Sequence, residues 1–465
     1  MAEVNVDEVI KNVCVKFSVE SLKTEQYHML QSMLAKKDCI AVLPTGFGKS
    51  LPYQIYLPVV RELGRLGPQT ERIIVCCPLV ALMKDQVERL HSISEQRVAY
   101  KGSSHEMDEL INRGEFDILF ASPESFVGDS KFRQLLQNFN VGMIVIDEFH
   151  TIATWGGNDD SDEYLVFRKW FRHVGELRSL FPSAPVLALS ATCTNKIKKR
   201  VMKVMGLREN DTTQISISPN KPNIKLVVKK VSSEIETAIY WLVDALGLLG
   251  ESFPRTLVYC NSISDVSKLY NHVVKELENC TNLVEMFHSE TPEDKKEKIV
   301  SALRNKDSCV RIVIATSALG MGVDVLNCNS VVLYGPPRSV VDLVQAVGRV
   351  GRDGLPSVAL IIYNSHHLRN VDKEVKSFIS CQNCRRKELL KNFISDTDLL
   401  KFTDETCHTC CDLCAELCKC NHCSVLDIEK LFNNECLNCS SDSDDTIDYD
   451  WNVDELDMDF SLSDS

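Results

Sequence analysis

Nowhere in this 465-residue chain does an apolar run reach the roughly eighteen residues that a membrane-spanning helix requires. Nor do the first residues, Met1 to Ile10, set a basic cluster before an apolar stretch; they carry acids, which excludes the pattern of a secretory leader. Lysine and arginine are missing altogether after Lys430, while eleven acids follow between Glu435 and Asp464. Of the net charge of −13, the chain outside that acidic end therefore carries −2. A near-neutral body can still present a basic groove, so the acidic total does not exclude a nucleic-acid partner. Cysteine is the one type in excess, yet its distribution excludes a disulfide scaffold: nine of the twenty are scattered from Cys14 to Cys328, and eleven crowd between Cys381 and Cys439. Close spacing of that kind in an intracellular chain reads as metal ligation. The expectation is a soluble intracellular protein with no membrane partner.

Cys39 to Leu43, Ile73 to Cys77, Ile118 to Ser122, Met143 to Ile146 and Val186 to Ser190 are short apolar runs, each leading into a turn or motif. Buried runs separated by amphipathic stretches imply a parallel sheet covered by helices on both faces. The pattern restarts after Pro219 to Ile224, with Thr256 to Cys260, Val310 to Ala315, Val331 to Tyr334 and Ala359 to Tyr363. The predicted class is α/β, with two doubly wound parallel-sheet domains and a small helical, cysteine-rich module. A helical lead-in over 1–21 precedes sheet domains over 22–217 and 218–375. The cysteine-rich module takes 376–440, and the acidic, Ser-rich segment 441–465 is expected to be disordered.

Thr45 to Ser50 read TGFGKS, in which Thr45, Gly46 and Gly48 form a turn whose backbone N–H groups can approach phosphate oxygens. Lys49 reaches the β and γ phosphates, and the Ser50 hydroxyl can bind Mg²⁺. Leu43 stands where the commonest form of this loop has its first glycine. DEFH, Asp147 to His150, follows an apolar run, which puts two carboxylates at the C-terminal edge of a buried strand, where α/β proteins bind ligands. Asp147 can hold Mg²⁺ through water there, and Glu148 can accept a proton from an attacking water. Ser190 to Thr192 (SAT) and Ala315 to Asp324 (ATSALGMGVD) close two further runs. Taken singly, these segments also read as a Gly-rich turn, a solvated acidic loop, a helix cap and a simple turn. Far downstream, Gln345 to Gly354 (QAVGRVGRDG) places Arg349 and Arg352 one helical turn apart. A phosphate loop on one domain and two guanidinium groups on the next describe an ATP site divided between them, with hydrolysis coupled to closure.

In this order the segments resemble those of a superfamily 2 helicase, and in detail the RecQ family, from Phe17 to Cys414. The resemblance implies RecA-like sheet domains and 3′ to 5′ movement on single-stranded or partly duplex DNA, driven by ATP with Mg²⁺. It gives Gln26 an adenine-reading role, Gln345 a place in the nucleotide site, and Arg352 the role of arginine finger with Arg349 beside it. Cys77 to Val87, with Lys84, resembles the motif touching the DNA backbone, and Ser122 to Ser125 the one after it. Trp155, Phe167 and Arg168 resemble the aromatic-rich loop that senses single-stranded DNA; Ser218 to Ile224 resembles the interdomain link, and Tyr259 to Ser262 a further motif. An acidic insertion, Gly157 to Val166, interrupts the aromatic-rich loop. Val19, Lys23 and Phe149 also depart from the family's usual residues.

Cys384, Cys407, Cys411 and Cys414 are the predicted Zn²⁺ ligands, since one distant thiolate and a compact knuckle suit a tetrahedral structural site, with Cys381, Cys410 and His408 near enough to substitute. The cysteines from Cys418 onward leave a second zinc open. The tail Tyr449 to Phe460 interleaves aromatic and aliphatic residues with acids, as a segment that docks on a basic groove of a protein partner or of its own chain does. Localisation follows the family: nuclear, or cytoplasmic in a prokaryote. Two other readings are a DNA-binding scaffold with a decayed motor and an RNA helicase.

Overall fold

The computed structural model describes residues 5–64, 71–151, 170, 173–320, 327–401, 407–419 and 427–433. Among them the first sheet contains β1 (Cys39–Val42), β2 (Arg72–Cys76), β3 (Val98–Tyr100), β4 (Ile118–Ala121), β5 (Val141–Ile146), β6 (Val186–Ser190) and β7 (Thr213–Ser216), all parallel, in the order β3-β4-β2-β5-β6-β1-β7. Cys39 and Ala41 pack into the core on one face of this sheet, and Ile40 and Val42 into the core on the other. Burial on both faces is why the central strands are unbroken apolar runs rather than alternating ones.

The second sheet contains β8 (Ile224–Lys230), β9 (Thr256–Cys260), β10 (Val284–Phe287), β11 (Ile312–Ala315), β12 (Ser330–Tyr334) and β13 (Ser357–Tyr363), again all parallel, in the order β10-β11-β9-β12-β13-β8. Four strands escape the sequence reading: β3, β7, β8 and β10. Each is the outer strand of its sheet. β7, TQIS, and β10, VEMF, are only partly covered, and in β7 burial alternates residue by residue, whereas β3 is only three residues long and in β8, IKLVVKK, lysines interrupt the apolar run.

Motifs gather where the strands end. TGFGKS follows β1, DEFH follows β5, and SAT closes β6, which lies between those two strands. On the second domain, the helix Val340–Val347 starts at Ser339, whose Oγ accepts from Asp342 N, and stops at Gly348. Arg349 and Arg352 therefore stand in the turn beyond the helix rather than one helical turn apart on it, and between them Gly351 takes φ +61°.

The cysteine-rich region is bound to the second sheet rather than tethered beyond it. Phe378, Leu389, Phe393, Cys410 and Cys411 share one apolar core with Ile224 and Leu226 of β8. Cys411 forms a parallel bridge with Leu226, and Asp412 accepts from Val228 N (3.1 Å) while pairing with Arg385 Nε (2.6 Å). Further on, the helix Asp427–Phe432 returns to the same domain. Its Ile428 and Leu431 are buried with Trp241, and Glu429 pairs with Lys225 at 2.8 Å, both side chains at least nine-tenths buried.

Candidate active site

The phosphate loop is built on two glycines with positive φ, Gly46 at +82° and Gly48 at +86°. A Cβ on Gly48 would stand 2.6 Å from Nε2 of Gln26, so that position admits no side chain without displacing the glutamine. Gln26 is buried, donating from Nε2 to Phe47 O (3.1 Å) and Gly48 O (2.9 Å) and accepting from Lys23 N (2.9 Å). Its amide thus braces the loop from beneath. Lys23 lies over the Phe47 ring, 4.3 Å from its centre.

Across the cleft, Asp147 N is held by Cys76 O of β2, and Glu148 follows with φ +48°, a conformation that side chains other than glycine rarely take. Thr151 secures it, donating both its backbone N–H (3.0 Å) and its hydroxyl (2.8 Å) to Glu148 O. Phe149, the departure from the usual small residue, is fully buried and fills the core behind the strand. Burial and the neighbouring Glu148 charge push the Asp147 carboxyl well up. Glu148 is half-buried, and there His150 and Lys49 outweigh the cost of desolvation and hold its carboxyl down. Two adjacent acids with pKa values driven apart, next to Lys49, form a charged pair of the kind found at reaction centres.

His150 joins three motifs. Its Nδ1 lies 2.9 Å from Ser190 Oγ, which itself donates to Thr192 O (2.9 Å). Because the serine hydrogen is committed, the network assigns the imidazole proton to Nδ1, and Nε2 is left as acceptor for Gln345 Nε2 at 3.0 Å. Gln345 Nε2 also reaches Thr192 Oγ1 at 3.2 Å. Glu148 Oε2 lies 3.3 Å from His150 Nδ1, an ion pair when the imidazole is protonated, and as a buried atom it has no hydrogen-bond donor of its own. Arg349, with a pKa lowered by burial, feels the Glu148 charge from the second domain, whereas Arg352 is exposed.

Two helicase domain families match the chain: DEAD/DEAH box helicase over residues 23–200 and Helicase conserved C-terminal domain over residues 238–354. The bifunctional 3'-5' exonuclease/ATP-dependent helicase WRN of Mus musculus is 29% identical over 439 residues, covering 88% of this chain and 29% of that one. The ATP-dependent DNA helicase RecQ of Pasteurella multocida is 28% identical over 401 residues, covering 81% of this chain and 58% of the relative. The chain thus carries both helicase domains and is similar to RecQ helicases over more than four fifths of its length. It spans between about a third and three fifths of the length of these two relatives. The fold is also that of DUF1998 helicase MrfA in its crystal structure bound to DNA, with TM-score 0.59 and 19% identity over 78% of this chain and 52% of that one.

Other residues that the RecQ resemblance singles out are distributed unevenly. Lys84 is exposed on the helix Val80–Ile93, with Glu88 3.9 Å away. Trp155, Phe167, Arg168 and the acidic insertion lie outside the described residues, as does the tail. In this chain, the thiol sulfurs of Cys384, Cys410, Cys411 and Cys414 all come within 4.8 Å of one another. Cys410 therefore stands in the cluster, although the sequence reading ranked it as a substitute; the side chain of Cys407 lies outside the described residues. Hydrogen bonds from Cys384 and Cys410 hold the Cys411 thiol far below the usual range, whereas burial and the neighbouring Cys411 push the Cys414 thiol up, so the negative charge of the cluster sits on Cys411. Arg386, in the middle of this region, is the residue the sequence reading passed over. Its guanidinium is buried, and its described partners are the neutral oxygens Asn220 Oδ1, Lys221 O, Ile224 O and Cys410 O.

Proposed function

We propose that this protein is an ATP-dependent DNA helicase of RecQ type that moves 3′ to 5′ on single-stranded DNA by hydrolysing ATP between its two sheet domains. The observation that carries this reading is the contact of Gln345 with His150 and Thr192, which ties the second domain to the acidic and SAT motifs of the first. Only in a closed arrangement do Arg349 and Arg352 join Lys49 around one nucleotide.

In this reading Lys49 and the phosphate-loop N–H groups bind the phosphates, and Glu148 Oε2 takes a proton from the attacking water. Arg352, aided by Arg349, balances charge on the leaving diphosphate. Ser50 and Asp147 would hold Mg²⁺; a buried carboxyl raised by its neighbour suits a hard cation. That ion, when bound, neutralises charge on the phosphate oxygens. Lys84, Trp155, Phe167 and Arg168 are assigned to DNA. Cys384, Cys410, Cys411 and Cys414 would hold Zn²⁺, since four soft donors at this spacing suit it. The buried charge of Arg386 supports that assignment, because four thiolates around a divalent ion carry a net negative charge that offsets a buried cation.

Phosphate release measured with and without single-stranded DNA tests the reading. DNA-stimulated turnover is expected; none would leave a binding protein. Matched DNA and RNA strands in competition decide the substrate.

A further inference from the structure

The interdomain link runs from Ser218 to Ile224, between the two sheets, and it touches the arginine-bearing turn at two places. Lys221 Nζ donates to Gly348 O at 2.9 Å. Asn223 Nδ2 donates to Gly351 O at 2.9 Å and to Leu355 O at 2.9 Å. Gly348 and Gly351 immediately precede Arg349 and Arg352, so the link holds the peptide carbonyl ahead of each arginine. At Gly351 the approach is so close that a Cβ would lie 2.5 Å from Asn223 Nδ2.

The link is held in turn from its other side. Arg386 donates to Asn220 Oδ1 (3.0 Å), to Lys221 O (2.8 Å) and to Ile224 O, and its remaining described bond reaches Cys410 O (3.0 Å) in the cysteine cluster. Glutamine or lysine cannot span this set, because only a planar fork reaches three carbonyls and an amide oxygen at once. A chain of named contacts therefore leads from the cysteine cluster through Arg386 and the link to the two arginines.

Resting on the function proposed above, we propose that Arg386 and Lys221 are positioning residues for ATP hydrolysis: Arg386 fixes the link, and the link sets the turn that aims Arg349 and Arg352 at the nucleotide. Neither residue touches the reacting atoms. The charged groups facing Lys221 are Arg349 and Arg352 from that turn, with Arg386 bonded to its backbone; Glu148 faces Arg349 across the cleft. Burial and the two arginines bring the Lys221 ammonium down to about 8. Below that pH it gives Gly348 O a charge-assisted hydrogen bond, and above it a weaker neutral one.

Steady-state ATP turnover of the full chain, from pH 6.5 to 9.5, tests the proposal on Lys221→Met, Lys221→Arg and Arg386→Gln. Lys221→Met is expected to lower kcat about tenfold, ~1.4 kcal/mol, with KM for ATP unchanged, because the phosphate loop is untouched. Wild-type kcat should fall as pH rises through about 8. That fall should vanish in Lys221→Met, and Lys221→Arg should keep the low-pH kcat while also losing it. Arg386→Gln should lower kcat similarly with zinc content unchanged. Should Arg386→Gln fail to fold, the Lys221 pair still decides. Wild-type kcat and pH profile in Lys221→Met would overturn the proposal, whereas a wild type without ATP turnover would overturn the function on which it rests.

Discussion

Nε2 of Gln345 lies 3.0 Å from Nε2 of His150, so the second sheet domain donates a hydrogen bond to the one ring nitrogen that the Ser190 contact leaves as an acceptor. The same amide nitrogen reaches Thr192 Oγ1 at 3.2 Å. A single side chain thereby reads the acidic motif and the SAT motif together. Gln345→Ala should lower DNA-stimulated kcat about tenfold, ~1.4 kcal/mol, as expected for hydrogen bonds that complete the closed site. KM for ATP should stay within a few-fold, and comparison of rates with and without DNA checks this. Loss of nucleotide binding instead would mean that Gln345 serves the nucleotide pocket rather than closure.

Arg352→Ala is predicted to lower turnover on the order of 10³-fold, while ATP binding to the first domain changes little. Arg352 is exposed, whereas Arg349 is the guanidinium that feels Glu148. Parallel kinetics of Arg349→Ala and Arg352→Ala separate them. A loss below about tenfold in Arg352→Ala would transfer the finger role to Arg349.

Much of this site was legible in sequence because phosphate chemistry dictates local patterns: TGFGKS, DEFH and SAT each sit at the end of a buried strand, as their apolar runs implied. What escaped was set by partners distant in the chain. The outer strands escaped for different reasons: β7 and β10 are only partly covered, β3 is three residues long, and lysines flank the short apolar stretch of β8, so none shows the run that announces β5 or β6. Cys410 and Cys411 are adjacent in sequence, and only the fold shows both in the cluster. Gln26 braces Phe47 O and Gly48 O, a use of its amide that no spacing reveals. Arg386 stood in plain view beside Cys384, but its four acceptors lie on the link and on Cys410.

Metal analysis should find at least one zinc per chain bound by the Cys384, Cys410, Cys411 and Cys414 cluster. Cys411 bridges Leu226, so chelation should loosen the β8 edge of the second sheet: amides of Ile224–Lys230 should exchange faster while those of β1, β5 and β6 keep their protection. Unchanged exchange in β8 after complete zinc removal would contradict the shared core.

Glu429→Gln leaves the Lys225 charge buried without its partner and should destabilise the second domain by about 3 kcal/mol in urea unfolding. Adding Lys225→Met should recover most of that loss, because an apolar replacement of the pair carries no uncompensated charge. A single-variant loss under about 1 kcal/mol would mean that the pair is solvated in solution.

The most direct measurement is phosphate release from ATP by zinc-replete protein, with and without single-stranded DNA, alongside Glu148→Gln. Glu148 Oε2 is buried, without a hydrogen-bond donor and set by a positive φ, so its loss should stop turnover while ATP binding, followed by a fluorescent analogue, persists. The account predicts DNA-stimulated release by the wild type and none by the variant. Release that ignores DNA, or a Glu148→Gln protein that turns over ATP like the wild type, would contradict it.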